Sequence, residues 1–277
     1  MSRAPAAENV RGAAGRLARA VLGTLAVAGV GVGLFAGGKV GYRWLTTSPT
    51  FAIHRIELRG NRRASADALV RRSGLSVGHN LFTSDVDAAE RGIAQEPWVK
   101  TVDVHRRLPD TVSIRVTERA PVVLVDLGKL YFADADGALF KRAHAGDDLD
   151  LPVVSGIGRD TFQSQPKVVE AQLRDLEALL ADYQARGFDK AYRVQELSLD
   201  AARSVSLVLS PVGRRGAVQT VALGEAPFGP KLDKLGTLWG ELRRRGMTAQ
   251  VIHLENRTRP NWVAVKLALA DPSTHSK

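Results

Sequence analysis

Hydrophobic and polar positions change rhythm several times along the chain. Residues 20–38 carry no charge and only one polar side chain, Thr24, with Arg19 and Lys39 closing the run. Nineteen residues at about 1.5 Å each reach roughly 28 Å, the hydrocarbon thickness of a bilayer, so the pattern predicts a single transmembrane helix over residues 20–41. From Phe51 the pattern shortens. Phe51, Ile53, Ile56 and Leu58 make a strand that stops at Gly60-Asn61, and a short helix starts at Ser65, a capping residue, and stops at Gly74. Ser84 and Asp87 stand at capping-box spacing before Val86, Ala89, Glu90 and Ile93, and Pro97 forbids continuation. Val99, Val102 and Val104 then lead through Leu108-Pro109-Asp110 to Val112, Ile114 and Val116, two strands joined by a turn. Farther on, leucines at helical spacing predict helices over 167–186 and 230–245, and strands are expected over 194–199, 205–209 and 218–223. The last pattern is a strand pair, 251–256 and 262–267. The fold class is α+β: one transmembrane helix, a β-α-α-β-β unit, and a β-rich domain with flanking helices.

Charge orients the first helix. Arg3, Arg11, Arg16 and Arg19 precede the stretch against Lys39 and Arg43 after it, which keeps a tail of residues 1–19 in the cytoplasm and exports the rest. Tyr42 and Trp44 suit the outer interface. A cleaved signal peptide, cut within Leu34-Phe35-Ala36-Gly37, is the competing reading, although the apolar run exceeds the usual length of about 7–15 residues. Gly29-Val30-Gly31-Val32-Gly33 imitates a dinucleotide fingerprint but no strand precedes it. Gly29, Gly33 and Gly37 fall at i, i+4 and i+8, a face on which another membrane helix could pack closely.

Composition narrows the chemistry. The chain has 277 residues and a net charge of +10, of which the first 44 residues hold +5, and basic and acidic residues alternate through the remainder. That pattern argues against nucleic acid and for a solvated surface, one that would also suit anionic head groups or a cell-wall polymer. With no cysteine, disulfides, thiol catalysis and thiolate metal sites are excluded. His54, His79, His105, His144, His253 and His275 are scattered, so no metal centre is expected. Asp147, Asp148 and Asp150 read as a solvated loop, and Asp134-Ala135-Asp136-Gly137 as a hairpin turn, since the further ligands of a calcium loop are missing. No catalytic residue, cofactor or small-molecule substrate is expected.

Four phrases together, directly after the signal anchor, carry a resemblance. Ile56-x-Leu58-x-Gly60-Asn61, Asn80-Leu81-Phe82-x-x-Asp85-Val86, Pro97-Trp98-Val99-Lys100, and Leu108-Pro109-Asp110-Thr111-Val112 with Glu118-Arg119-x-Pro121 make residues 51–120 similar to the POTRA domain of the FtsQ/DivIB family of bacterial cell-division proteins. Residues 121–270 resemble that family's β domain, with Leu151-Pro152-Val153-Val154-x-Gly156 as a second family-like phrase and residues 271–277 as a tail. The resemblance implies a non-enzymatic inner-membrane scaffold, single-pass type II with its domains in the periplasm at the division septum, binding FtsB and FtsL and helping recruit the septal peptidoglycan synthase. Carried over residue by residue, it implies an FtsB contact at Arg203, Asn256, Trp262, Val263, Val265 and Leu267, and a second surface at Thr101, Val104 and Arg106. The family phrase before the last turn reads His253-Leu254-Glu255-Asn256 here, and the turn is longer. A POTRA-bearing chaperone of outer-membrane secretion and a membrane-anchored cell-wall enzyme are the alternatives; the single POTRA unit and the leucine-patterned helices speak against the first.

Overall fold

The uncharged N-terminal stretch lies within one continuous 40-residue helix, α1 (Glu8–Thr47). The computed structural model describes residues 8–147, 150–213, 217–255 and 262–268, with the side chains of 8–21, 24, 26 and 27 excepted. Among the described residues no helix is long and apolar enough to cross a membrane, and the side chains of residues 20, 21, 24, 26 and 27 of the expected span are not among those described. The chain divides into two units, one ending at Glu118 and the other starting at Arg119.

In the first unit, α1 is followed by β1 (Arg55–Arg59), α2 (Ala66–Ser73), α3 (Val86–Ile93), β2 (Val99–Arg107) and β3 (Thr111–Glu118), the expected β-α-α-β-β order. The strands form a sheet in the order β1-β3-β2, with β1 parallel and β2 antiparallel to β3. Ile53, Leu69, Ala89, Ile93, Val112 and Ile114 are fully buried between helices and sheet. Gly60 stands at φ 93°, and a Cβ there would meet the Val116 carbonyl oxygen at 2.0 Å, so the strand can end this way only on glycine. One local expectation is corrected. The cap of α3 is Asp85, which accepts the Ala88 amide at 2.9 Å, because the Ser84 hydroxyl already donates to the Asn80 carbonyl at 2.8 Å. Ser65 does occupy the N-cap position of α2, but its side chain makes no capping bond.

The second unit runs β4 (Pro121–Asp126), β5 (Leu130–Asp134), β6 (Leu139–Arg142), β7 (Val153–Ser155), α4 (Arg159–Ser164), α5 (Pro166–Ala185), β8 (Tyr192–Leu199), β9 (Val205–Pro211), β10 (Gln219–Gly224), α6 (Gly229–Arg244), β11 (Ala249–His253) and β12 (Ala264–Leu267). These strands form one nine-stranded sheet ordered β12-β11-β10-β9-β8-β7-β4-β5-β6. Helical crossovers account for the parallel pairs β7–β8 and β10–β11, β4–β7 is parallel across the intervening β5 and β6, and the remaining neighbours are antiparallel. The leucine stripes behave as expected: Leu173, Leu176 and Leu180 of α5 and Leu232, Leu235 and Leu242 of α6 pack on Leu197, Leu207, Val221 and Ile252 of the sheet. A polar bridge fixes the angle of both helices. Tyr183 donates to the Tyr192 carbonyl at 2.9 Å, while buried Gln219 donates to the Tyr192 hydroxyl and accepts from Trp239 Nε1, each at 3.1 Å. The expected Asp-Gly hairpin joins β5 to β6. Its Asp134 is 3 % exposed, accepts the Asp136 and Ala138 amides, and pairs with Arg119 at 2.6 Å.

Glu118, the last residue of the first unit, closes the loop after β1 by accepting the amides of Arg62, Arg63 and Ala64 at 2.8–3.0 Å. Partial burial opposes its charge, but these three donors and the nearby Arg63 outweigh that and hold the carboxyl below its ordinary value. Stability from this group is therefore full above the ordinary glutamate range and lost as pH falls through the depressed folded value. Glu118→Gln should destabilise the first unit by about 1–3 kcal/mol at neutral pH, and the gap from the parent in denaturant melts should shrink as the medium is acidified into the carboxylate range.

Candidate protein-binding interface

A sheet ends where a strand finds a partner on one side only, and among the described residues β12 pairs with β11 alone. Which of its backbone groups face outward follows from its neighbours. The Ala268 amide donates inward to the Thr248 carbonyl at 2.8 Å, and alternate residues of a strand face opposite ways. Ala264 and Lys266 therefore bond to β11, while Val265 and Leu267 turn their amides and carbonyls away from the sheet. The same alternation sorts the side chains. Val263 and Val265 rest on the core, Leu267 continues that face at 44 % exposure, and Trp262 is 61 % exposed ahead of the strand. Among the described residues the outer edge thus presents unpaired backbone beside an apolar shelf, and Lys266 is the only charge on β12.

Arg203 sits at the same end of the sheet. Register runs straight across from Ser206 through Ala222 and His253 to Ala264, so the β8–β9 turn lies level with the start of β12, three strand spacings or about 14 Å away. The turn is stapled by Asp200, whose Oδ1 accepts the Ala202 and Ser204 amides, both at 2.8 Å, and whose carbonyl accepts the Arg203 amide at 3.0 Å. Arg203 takes φ 62°, and no other non-glycine described residue is left-handed. A large side chain is kept where glycine would be cheaper.

Sequence reasoning missed the residue between these two features. Glu255 places its carboxylate against the Gly224–Glu225 backbone, accepting the Glu225 amide at 3.1 Å, in space that any side chain at position 224 would occupy. The signal was a glycine directly after a strand run. Asn256, expected at this contact, lies outside the described residues.

The second expected surface does not hold together. Thr101 is exposed, but Val104 is 3 % exposed and belongs to the core, because side chains three apart on β2 point to opposite faces. Arg106 shares the core side and is engaged there: Nε donates to the Leu81 carbonyl at 2.8 Å and Nη2 to the Ser84 carbonyl at 2.7 Å. Even the backbone is occupied, since Glu90 of α3 accepts the Val104 amide at 2.7 Å. On α1, Gly29, Gly33 and Gly37 lie along one face with nothing within 4 Å of an added Cβ.

The described carboxylates of the acidic loop are each held by a basic partner. Asp147 accepts from Lys141 at 2.5 Å and from the His144 amide at 2.8 Å, Asp150 pairs with Arg193, and Asp148 lies outside the described residues. A cleft of about 410 Å³ next to that pair is lined by Pro121, Leu151, Glu177, Tyr183 and Asp189. Among the described residues no group of three or more His, Asp or Glu could hold a metal ion.

Comparison with known proteins matches both units. Residues 51–119 match the family described as POTRA domain, FtsQ-type, and residues 122–255 the family described as cell division protein FtsQ/DivIB, C-terminal, a match that stops short of β12. The chain is 41 % identical over 265 residues to a cell division protein FtsQ of Myxococcus fulvus, covering 94 % of this chain and 89 % of that protein. It is 34 % identical over 257 residues to cell division protein FtsQ of Anaeromyxobacter sp. (strain K), covering 91 % and 84 %. A more distant likeness, 33 % over 110 residues, is to cell division protein DivIB of Clostridium acetobutylicum, covering 39 % and 44 %.

Relieving the left-handed backbone at 203 should separate folding from any other role of this side chain. Arg203→Gly is expected to raise the stability of the second unit by about 1 kcal/mol in denaturant melts. A lower stability would mean that the arginine side chain contributes more to the fold than its backbone conformation costs.

Proposed function

The chain belongs to the FtsQ/DivIB family of cell-division proteins, and on that premise we propose that it is a single-pass scaffold of the inner membrane that binds an FtsB-like partner along β12. The observation that carries this reading is the outward-facing backbone of Val265 and Leu267 beside an apolar shelf. An incoming extended peptide would add a tenth strand there, its amides and carbonyls meeting those of Val265 and Leu267, with Val263, Val265 and Leu267 selecting its apolar side chains. Trp262 stands two residues ahead of β12, and Asn256 follows β11 in the sequence. Arg203, held out on its stapled turn, would meet an acidic group of the partner where the partner chain leaves the added strand and runs back across that end of the sheet. FtsL and other division proteins would join through this complex, bringing in septal peptidoglycan synthesis. Of the second surface, Thr101 and Arg106 are exposed, although two guanidinium nitrogens of Arg106 are committed to the Leu81 and Ser84 carbonyls.

Anchorage rests on the uncharged stretch within α1, which as one helix of 40 residues is long enough to cross a bilayer and continue into the periplasm. The proposed organisation is a cytoplasmic tail of residues 1–19, a span of 20–41, the POTRA domain over 51–120, the β domain over 121–270 and a tail of 271–277. The open face at Gly29, Gly33 and Gly37 would let an FtsL or FtsB membrane helix approach closely.

A reporter fused after Lys277 should be active only outside the cytoplasm, and the mature protein should retain Met1 to Arg19; a soluble form beginning near Gly37 would replace the anchor with a cleaved signal. For the edge, Val265→Pro removes an outward amide without breaking a bond to β11, and Arg203→Glu reverses the charge on the turn. Each is expected to weaken binding of an FtsB periplasmic segment by about 1–3 kcal/mol, roughly tenfold to a hundredfold, in a calorimetric titration. Unchanged affinity in both folded variants would move the partner site elsewhere.

A further inference from the structure

The end of α1 does not simply lead into the POTRA unit; it is gripped by it. The side-chain amide of Asn80 donates to the Leu45 carbonyl at 2.9 Å, and Leu45 is one of the last four residues of the helix, whose carbonyls have no partner within it. Asn80 itself is fixed in place. It bridges to Ala52, its Oδ1 accepts the Phe82 amide at 2.9 Å, and the flanking segment is laced to the strand entrance by Ile53 N to His79 O at 2.7 Å and Leu81 N to Phe51 O at 2.7 Å. An aromatic chain runs alongside. Trp44 meets Phe51 edge to face at 5.5 Å, and Phe51 meets Phe82 in the same way at 5.0 Å. On the outside of this joint a soluble domain would hide its apolar groups. Here Tyr42 is 67 % exposed, Trp44 59 %, Val77 64 % and Phe82 38 %.

Distance along the helix indicates what covers them. If residues 20–38 fill the hydrocarbon, Tyr42 and Trp44 stand roughly 6 and 9 Å beyond its boundary, and the headgroup layer on each side of a bilayer is about 5–8 Å deep. Tyr42 thus falls within the layer and Trp44 at its outer margin, the zone in which tyrosine and tryptophan rings are most stable, and Lys39 and Arg43 add cations to it. Phe82 is tied to Trp44 through Phe51, and Val77 lies three residues before Asn80 in the loop that Asn80 fastens. We propose that Tyr42, Trp44, Phe82 and Val77 form a collar that seats the POTRA domain on the headgroup layer of the membrane that α1 crosses, with Asn80 as the clamp that holds the loop at that depth. The proposal rests on the anchor reading above. Its consequence is geometric: the POTRA domain stands at a fixed height and tilt at the membrane surface rather than swinging on a tether.

The absence of cysteine makes the test direct, since a single cysteine can be introduced and labelled in the full chain. Fluorescent labels at Leu34→Cys, Val77→Cys and Arg62→Cys would be compared in nanodiscs of phosphatidylethanolamine and phosphatidylglycerol carrying nitroxides in the acyl chain or on the headgroup. Arg62 is exposed and follows the far end of β1 from the joint. The label at 34 is expected to be quenched by acyl-chain nitroxides, the label at 77 by headgroup nitroxides, and the label at 62 by neither. Adding Asn80→Ala or Trp44→Ala should bring the label at 77 down to the level of 62 while leaving 34 unchanged. Trp44→Ala lies outside the POTRA core and keeps the test valid if Asn80→Ala unfolds the domain. Equal signals at 77 and 62 in the parent, or quenching at 77 that survives both substitutions, would overturn the collar. Loss of quenching at 34 would instead overturn the anchor itself.

Discussion

Burial of one face of a nine-stranded sheet under two helices is the constraint on which the second unit depends. α5 and α6 supply the leucines, and the sheet answers with Leu197, Leu207, Val221 and Ile252 on the covered side. The opposite side carries Ser198, Ser206, Thr220 and Ala222 at partial exposure, which a sheet with one wet face tolerates. Because the covering helices double as crossovers, β11 is laid parallel to β10 and the chain is delivered to the end of the sheet. β12 then returns along it as the last regular element of the described chain. An open edge is thus a product of the topology as much as of the residues on it.

The elements themselves were legible because each rests on a local rule. Leucines at helical spacing, Pro97 as a stop, Leu108-Pro109-Asp110 as a turn and Asp134 to Gly137 as a hairpin are all read within a few residues, and all stand where expected. What escaped were long-range choices. Nothing near Ser84 says that its hydroxyl will turn back to Asn80 and leave capping to Asp85. Nothing near Asn80 says that its amide will reach 35 residues back to Leu45. The burial of Val104 was a different kind of miss. Residues 101 and 104 differ by an odd number, so strand alternation alone already places them on opposite faces. For the candidate edge, the strand pair was readable from its alternation, whereas the level placement of Arg203 depends on a register across four strands that only the fold supplies.

The exposed strands of the molecule also differ in how they meet the hazard of a free edge. β2 is occupied: Glu90 takes the Val104 amide, and Arg106 is drawn inward to the loop after α2. β6, at the other end of the large sheet, is four residues long, breaks register beside Phe132, and ends in Lys141 and Arg142. Occupied amides, short length, irregular register and basic charge are the devices by which proteins refuse an added strand. β12 is equally short, and its pairing also shifts register, but the extra residue lies on β11, so β12 keeps its own alternation, and Lys266 is its single charge, carried on the face away from the valines. Among the described residues, then, β12 carries fewer of these devices than β2 or β6, and the left-handed arginine lies on a turn level with its start. Each feature carries a cost in the fold, strand amides without a partner among the described residues in one case and backbone strain in the other.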